Sequence, residues 1–407
     1  MDFLLTIICF SIAFIAYKKT NKVYNPLTLY LGTWALVFGL YILNPYKLPS
    51  INDTTYSIYC VGFISFLLGN LFVRKKSNQT VLSKIRMEKT VLFKPLIILM
   101  LVLMIIPGIK AMSLLLSGVN LHDIRYVHHD DILGNGIVAV AFVYFCEPFI
   151  TFLIVYSVIN MFIGQNKLKY ILLSIITLGL MTIITGGRFF ILYFIASLLI
   201  SLFIFRKSPV AKKIAKHSLL LFGVLVLGLV IISIIRGSDI VRTIYVYLSG
   251  SIPFMEERLN ENVNLPHTLG LASLYGFIRP VFVVLRAFFS MPLPLPLQVV
   301  ERTFLEDDLM FMLTPEIHYN SFVSIFYSMY LDGGLIGVAI GNLLLGLFAR
   351  NVYVNLRNYD MYSLILYTLI AIIFLLSFFK LLVCNYSYAL SFVYLYFCFG
   401  SLKNIKL

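Results

Sequence analysis

The residues of this 407-residue chain best suited to chemistry are arginines and one histidine. Arg125, Arg188, Arg236, Arg242, Arg258, Arg279, Arg286 and Arg302 lie in two long polar stretches or at the ends of apolar runs. A guanidinium is a planar fork that grips phosphate through two parallel hydrogen bonds and stays charged when partly buried; a lysine is a mobile point charge. The same stretches hold most of the acids, so a salt bridge is the plain alternative for any one arginine. Arg279 and Arg286 stand seven apart in LASLYGFIRPVFVVLRAFF, residues 271–289. That spacing puts both on one helical face. Arg188 closes the tetrapeptide TGGR, residues 185–188. Its two glycines permit a tight turn, and Arg188 is expected in the first turn of the following helix, where an anion is favoured. The alternative there is an ordinary turn with a snorkelling arginine.

His318 and Asn320 fall in TPEIHYNSFVSIFYSMYLDGGLIG, residues 314–337. They are expected at the mouth of an apolar helix that Asp332-Gly333-Gly334 interrupts. An imidazole there could act as a general base, with Asn320 orienting a hydroxyl and Glu316 or Asp332 as the fallback base. His217 sits in a basic cluster, His122, His128 and His129 in a loop, and His267 in a polar stretch with no helix to fix it. His128-His129-Asp130-Asp131 has metal-ligand residue types, but adjacent residues seldom converge on one ion and no established ligand spacing accompanies them. A solvated loop is expected, with no metal and no cofactor. Glu147-Pro148 interrupts an apolar run; an acid at membrane depth is either a functional group or the partner of an arginine.

Composition dictates what must hold these residues. The chain is 60% hydrophobic and 12% charged, against about a quarter charged for soluble domains. With a mean hydropathy of +0.94, neither a soluble fold nor a disordered chain fits. Eleven apolar runs are candidate membrane helices: 3–17, 27–43, 58–73, 91–109, 137–163, 170–185, 189–205, 219–235, 320–348, 362–379 and 388–402. The expected fold is an all-α polytopic membrane protein, a single integral domain over 1–407. The first run, followed by Lys18, Lys19 and Lys22, reads as a retained anchor. The five cysteines all lie in or beside apolar runs and read as small core residues. No internal repeat is visible.

The net charge of +14 is a matter of placement, not of nucleic acid. With the N-terminus outside and the C-terminus inside, 21 of the 32 basic residues fall on inner segments, as the positive-inside rule requires, and 16 of these are lysine. Eight of the 11 outer ones are arginine. This places 74–90 and 206–216 in the cytoplasm, and two long segments outside: a loop at 110–136 and a larger one at 236–319. Within the latter, a spanning helix would bury Arg279 and Arg286 at about 2.5–3.5 kcal/mol each. An interfacial or re-entrant helix starting near Pro280 is expected instead, followed by an extended MPLPLPLQ connector.

Taken together, YNPLTLYLGTW, TGGRFFIL, YGFIRP and HYNSFVSIFYSMYLDGGLIG resemble the bacterial oligosaccharide repeat-unit polymerases, the O-antigen and capsule polymerases of the Wzy type. The order of these motifs and the topology match across most of the chain. The resemblance implies an all-helical membrane glycosyltransferase of type C in the cytoplasmic membrane, with an extracytoplasmic active site. Its substrates would be undecaprenyl-diphosphate-linked oligosaccharides on the outer leaflet. The family's functional arginines carry over to Arg188 and Arg279. His318 resembles a histidine that precedes the corresponding helix in related O-antigen ligases. The family's arginine–glycine loop pattern occurs at Arg125 and Gly136, in the first long loop, where it is not expected. Arg125, Arg236, Arg286, Asn320 and Tyr275 are the further substrate-binding candidates.

The implied reaction is transfer of a glycan from its lipid diphosphate to a hydroxyl of the next lipid-linked repeat. Outer arginines would stabilise the leaving diphosphate and His318 would take the proton. The bilayer, a chain-length regulator and a flippase are the expected partners. A ligase-like transferase with another acceptor is one alternative. A lipid-linked oligosaccharide flippase or transporter is the other, and would place polar residues at mid-membrane.

Overall fold

A computed structural model describes the chain except for residues 74–89, 120–122, 125–128, 135, 164–166, 188, 210, 213–239, 262–264, 308–310, 315–316, 320–322, 357–359 and 400–407. Ten of the eleven apolar runs coincide with helices, and the run 219–235 lies outside the described residues. The chain divides into two compact units. One comprises 1–76, 206–354 and 373–384; the other comprises 77–205, 355–372 and 385–407. Among the described residues, six helical segments are long and apolar enough to cross a membrane: Asp2–Thr20, Pro26–Leu43, Asp53–Phe72, Phe93–Leu116, Val138–Ile163 and Ile325–Asn355. Lys169–Thr185, Phe189–Ile204, Met361–Leu375 and Tyr386–Phe399 are shorter apolar helices. This is the pattern of a multi-pass membrane protein. Apolar side chains stay exposed along whole faces, including Phe3, Ile7, Phe10 and Phe14, or Ile336, Ile340 and Leu344. Lipid permits this where water does not.

The first unit begins with α1 (Asp2–Thr20), α2 (Pro26–Leu43) and α3 (Asp53–Phe72). Asn25 Oδ1 caps α2 by accepting from Leu27 N, and Asn52 Oδ1 caps α3 by accepting from Thr55 N. Glu256 secures the same end of α3, its Oε2 accepting from Asn52 N and the Thr55 hydroxyl. Trp34, Phe38, Tyr59, Phe63 and Phe326 interlock in tilted and edge-to-face contacts at the core. The Tyr30 hydroxyl donates to Asn342 Oδ1 at 3.0 Å, a buried interhelical bond. Glycine brings the backbones together. A Cβ on Gly69 would lie 2.2 Å from Leu343 O, and one on Gly346 would lie 2.4 Å from Phe66 O. Close approach of this kind replaces hydrophobic drive where the solvent is itself apolar.

The second unit holds α4 (Thr90–Leu116), the short α5 (His129–Leu133), α6 (Ile137–Ala141), α7 (Glu147–Ile163), α8 (Lys167–Thr185) and α9 (Phe189–Ile204). The first long loop therefore starts later than 110, because α4 carries on to Leu116. α7 is almost wholly buried, packed on α8, α9 and the last helix. The Ser174 hydroxyl on α8 donates to that of Ser157 on α7 at 2.6 Å. Glu147-Pro148 does not end the fifth run. A π-helical turn at Phe142–Cys146 joins α6 to α7, and Glu147 N donates to Phe142 O. The wider turn carries the helix past a proline that has no N–H to give.

The described residues of the segment 236–319 are mostly helical. They include α10 (Ile240–Ser249), α11 (Ser251–Glu261), α12 (Tyr275–Phe289), α13 (Leu295–Asp307) and a hairpin of β1 (Phe311–Thr314) with antiparallel β2 (Ile317–Tyr319). Two expectations fail here. α12 starts at Tyr275 and runs through Pro280; the ring costs only the bond to Gly276's carbonyl, near the helix start. The connector stays free of helix only to Pro294. Pro296 is the second residue of α13, where a missing N–H costs nothing. α14 (Ile325–Asn355) follows, then α15 (Met361–Leu375), a 3₁₀ turn at Leu382–Cys384 and α16 (Tyr386–Phe399). The five cysteines are free thiols, and all but Cys60 are buried.

Candidate functional site

Two turns of chain in the first unit organise the polar residues. One is the break in α14. Gly333 is extended and Gly334 has φ of +59°, so the helix is interrupted where Asp332-Gly333-Gly334 stands in the sequence. The other is the loop 265–274 that leads into α12. The loop lies against the break, with Thr268 N and Leu269 N donating to the carbonyls of Leu331 and Asp332 at 3.0 and 3.1 Å.

Asp332 is the anchor. Its Oδ1 accepts from the Thr268 hydroxyl at 2.6 Å and from Gly270 N and Ala272 N at 2.9 Å each; Oδ2 accepts from Ser273 N at 3.0 Å. The side chain is buried. A carboxylate holding four donors has its lone pairs occupied, so Asp332 is no longer suited to the fallback role of general base. Charge-assisted hydrogen bonds of this kind are about twice as strong as neutral ones.

Six residues beyond Ser273, α12 presents Arg279. Its Nε donates to Glu301 Oε1 on α13 at 3.0 Å, and the Tyr275 hydroxyl donates to the same oxygen at 3.1 Å. The guanidinium lies 5.8 Å from the Tyr275 ring centre, and that ring packs edge-on against Phe304 at 5.1 Å. The pair is part-exposed, 32% for Arg279 and 25% for Glu301, so it contributes about 0–1 kcal/mol to stability. It is better described as aim than as glue. Tyr275, Arg279 and Arg286 share one face of the helix, and Arg286 is exposed. Val281, Val284 and Phe288, on another face, are exposed and apolar. At 15 residues α12 is about 22 Å long, short of the roughly 30 Å bilayer core.

A third arginine, Arg258 on α11, is buried. It pairs with Glu261, and its Nη2 reaches Thr303 O on α13 at 3.4 Å. For Arg258, as for Arg279, the structure shows the salt bridge that the sequence offers as the plain alternative.

His318 is not at the mouth of a helix. It stands on β2, paired with Met312, and α14 starts only at Ile325. The helix starts late because Ser324, at φ +75°, is tied to the chain at Lys380, its N–H donating to Phe379 O and that of Ile325 to Ser377 O. His267 is the histidine the sequence passes over. It flanks the α14 break, where a Cβ on Gly334 would come within 3.6 Å of its Cε1. It is exposed and has a rigid element beside it, the property expected of His318 alone.

Asn320, Arg188, Arg125 and Arg236 lie outside the described residues, as does Glu316. The turn before Arg188 is described. Gly186 has φ of +59°, and Gly187 N donates to Thr185 Oγ1 at 3.2 Å. The described part of α9 runs from Phe189. Glu301 and Thr268 give no local signal in the sequence, since their partners stand 22 and 64 residues away. Among the described residues, no cluster of His, Cys, Asp and Glu has the makings of a metal site.

Comparison of the chain with protein-family models, with curated proteins and with solved structures returned no match.

Proposed function

We propose that this protein is an oligosaccharide repeat-unit polymerase of the cytoplasmic membrane. It would transfer undecaprenyl-diphosphate-linked glycan onto the next lipid-linked repeat at the outer leaflet, for surface polysaccharide. The proposal includes eleven spans, with 236–319 facing outward. One observation carries most of its weight. Arg279 is aimed by Glu301 and Tyr275 from a short helix whose other face is apolar and exposed. Such a helix suits the membrane interface, where the diphosphate of a lipid carrier also lies.

In the proposed reaction the acceptor hydroxyl oxygen attacks the anomeric carbon, and its proton passes to a base. The bond from that carbon to the diphosphate oxygen breaks, and the electron pair leaves with the lipid diphosphate. Arg279, with Arg188 and Arg286, neutralises the charge that develops there. His318 is the base of choice, and His267 is the competitor that the fold adds. Arg125, Arg236, Asn320 and Tyr275 complete the substrate contacts. A flippase and a chain-length regulator would supply substrate and set product length.

One feature favours a second reading. Glu147 places a carboxyl within the candidate span Val138–Ile163, directly after a π turn. Polar groups at membrane depth are what a flippase would need. Incubating purified protein with synthetic lipid-diphosphate repeats separates the two. A ladder of chain lengths supports the polymerase; movement of unextended lipid across a vesicle bilayer without a ladder supports the flippase.

A further inference from the structure

We propose that Asp332 is the positioning residue for Arg279: a carboxylate clasp that fixes where α12 begins and therefore where the guanidinium stands. The inference deepens the polymerase reading and rests on it for its catalytic consequence, but not for the clasp itself.

The loop 268–273 wraps the Asp332 carboxylate with three backbone N–H groups and one hydroxyl. To do so it takes up left-handed backbone at Leu269 (φ +53°) and Gly270 (φ +94°). A leucine there costs energy that an isolated loop would avoid. The clasp holds from a second side as well. Cys384, on the 3₁₀ turn, donates its thiol to Ala272 O at 3.1 Å and lies 3.3 Å from Ser328 Oγ. The loop then closes on itself, Leu271 N to Thr268 O and Leu274 N to Gly270 O, and passes into α12 without slack. From Ser273 the path to Arg279 is Leu274 and then about one helical turn from Tyr275, which is short and stiff. A displacement at the clasp is therefore delivered to the guanidinium. The α14 break is what makes Asp332 available, since an unbroken helix would use the Leu331 and Asp332 carbonyls internally and close the space the loop enters.

The carboxylate, not its shape, is the requirement. In Asp332→Asn the oxygen can keep at most the Thr268, Gly270 and Ala272 donors. The amide nitrogen then faces Ser273 N–H, donor against donor. Thr268→Val is milder, deleting one donor and leaving the charge.

The test uses the full-length protein in lipid nanodiscs with Asp332→Asn, Thr268→Val, Arg279→Ala and the Asp332→Asn/Arg279→Ala double variant. The first arm is amide exchange over 268–276. Asp332→Asn should exchange at least about tenfold faster there, with α1–α3 unchanged, and Thr268→Val should fall between it and wild type. Unaltered exchange in both variants overturns the clasp. The second arm is extension of lipid-diphosphate repeats. A shift of about 1 Å in a positioned group costs on the order of 100-fold, so Asp332→Asn should lower turnover by about 10–100-fold with KM changed less than about threefold. If Asp332 acts through Arg279, adding Asp332→Asn to Arg279→Ala should cost nothing further. Losses that multiply would overturn the positioning role. Should wild-type protein extend nothing, the polymerase reading falls, and the exchange arm alone decides the clasp.

Discussion

Replacing Arg279 by lysine separates two roles that a loss of activity alone would confuse. The Arg279–Glu301 contact is a single Nε–Oε1 bond of 3.0 Å between part-exposed side chains. A pair of this exposure contributes about 0–1 kcal/mol, and lysine can keep the charge near Glu301. Thermal stability in detergent should therefore fall by no more than a few degrees. The transition state would feel more. One preorganised donor aimed at developing charge contributes about 2.7–4 kcal/mol, or 100- to 1,000-fold in rate. An ammonium offers no planar fork to a diphosphate. Arg279→Lys should thus lose about 100-fold in turnover at nearly unchanged stability, with a smaller change in KM, in an assay of chain extension by gel or chromatography. Tyr275→Phe is the internal control. It deletes the hydroxyl donated to Glu301 but leaves the ring against Phe304, and should cost about two- to tenfold, well short of the loss in Arg279→Lys. Turnover in Arg279→Lys within threefold of wild type would refute the reasoning. So would a loss of activity that tracks a fall in melting temperature.

Three further outcomes are expected. Gly69→Ala places a methyl 2.2 Å from a backbone oxygen and should destabilise the first unit by about 1–3 kcal/mol, read as a lowered melting temperature; an unchanged value would remove the close-packing account. His318→Ala should slow extension by about 100- to 10,000-fold and leave lipid-linked repeat binding intact, with wild-type activity falling at acid pH because a protonated imidazole accepts no proton. If His267→Ala shows that loss and His318→Ala does not, the base is His267. Cysteines at 212 and 261, in an otherwise cysteine-free chain, test the sidedness: an impermeant reagent on intact cells should label 261 and spare 212, and the reverse pattern would invert the topology.

The helices were legible because apolar length is a local property. Runs such as 27–43 and 189–205 became α2 and α9 within a residue or two. Where the sequence misled, proline was usually the cause. Pro148, Pro280 and Pro296 each read as a break, and each is absorbed: by a π turn, by a place near a helix start, and by the second position of α13. Proline forbids one hydrogen bond, and a helix can lose one wherever that bond is already missing or the turn can widen. The double glycine at 333–334 was the reliable breaker, since Gly334 has positive φ, which a side chain seldom tolerates.

The site was legible as residue types but not as partnerships. Arginine type and spacing pointed to Arg279, but nothing local tied it to Glu301 or the start of its helix to Asp332. Those pairings join residues 22 and about 60 positions apart, and they exist because a loop with two left-handed residues fits a gap in a helix. Elimination by neighbourhood failed for the same reason. In sequence His267 has no rigid neighbour, and the fold supplies one 67 residues on, at Gly334. In sequence His318 stands just before an apolar helix, and β2 carries it instead. Asp332 shows the consequence for function. In sequence it is an acid in an apolar helix, the profile of a catalytic group. In the fold its charge is spent on four donors of its own chain, and whatever it contributes to chemistry must pass through the helix those donors begin.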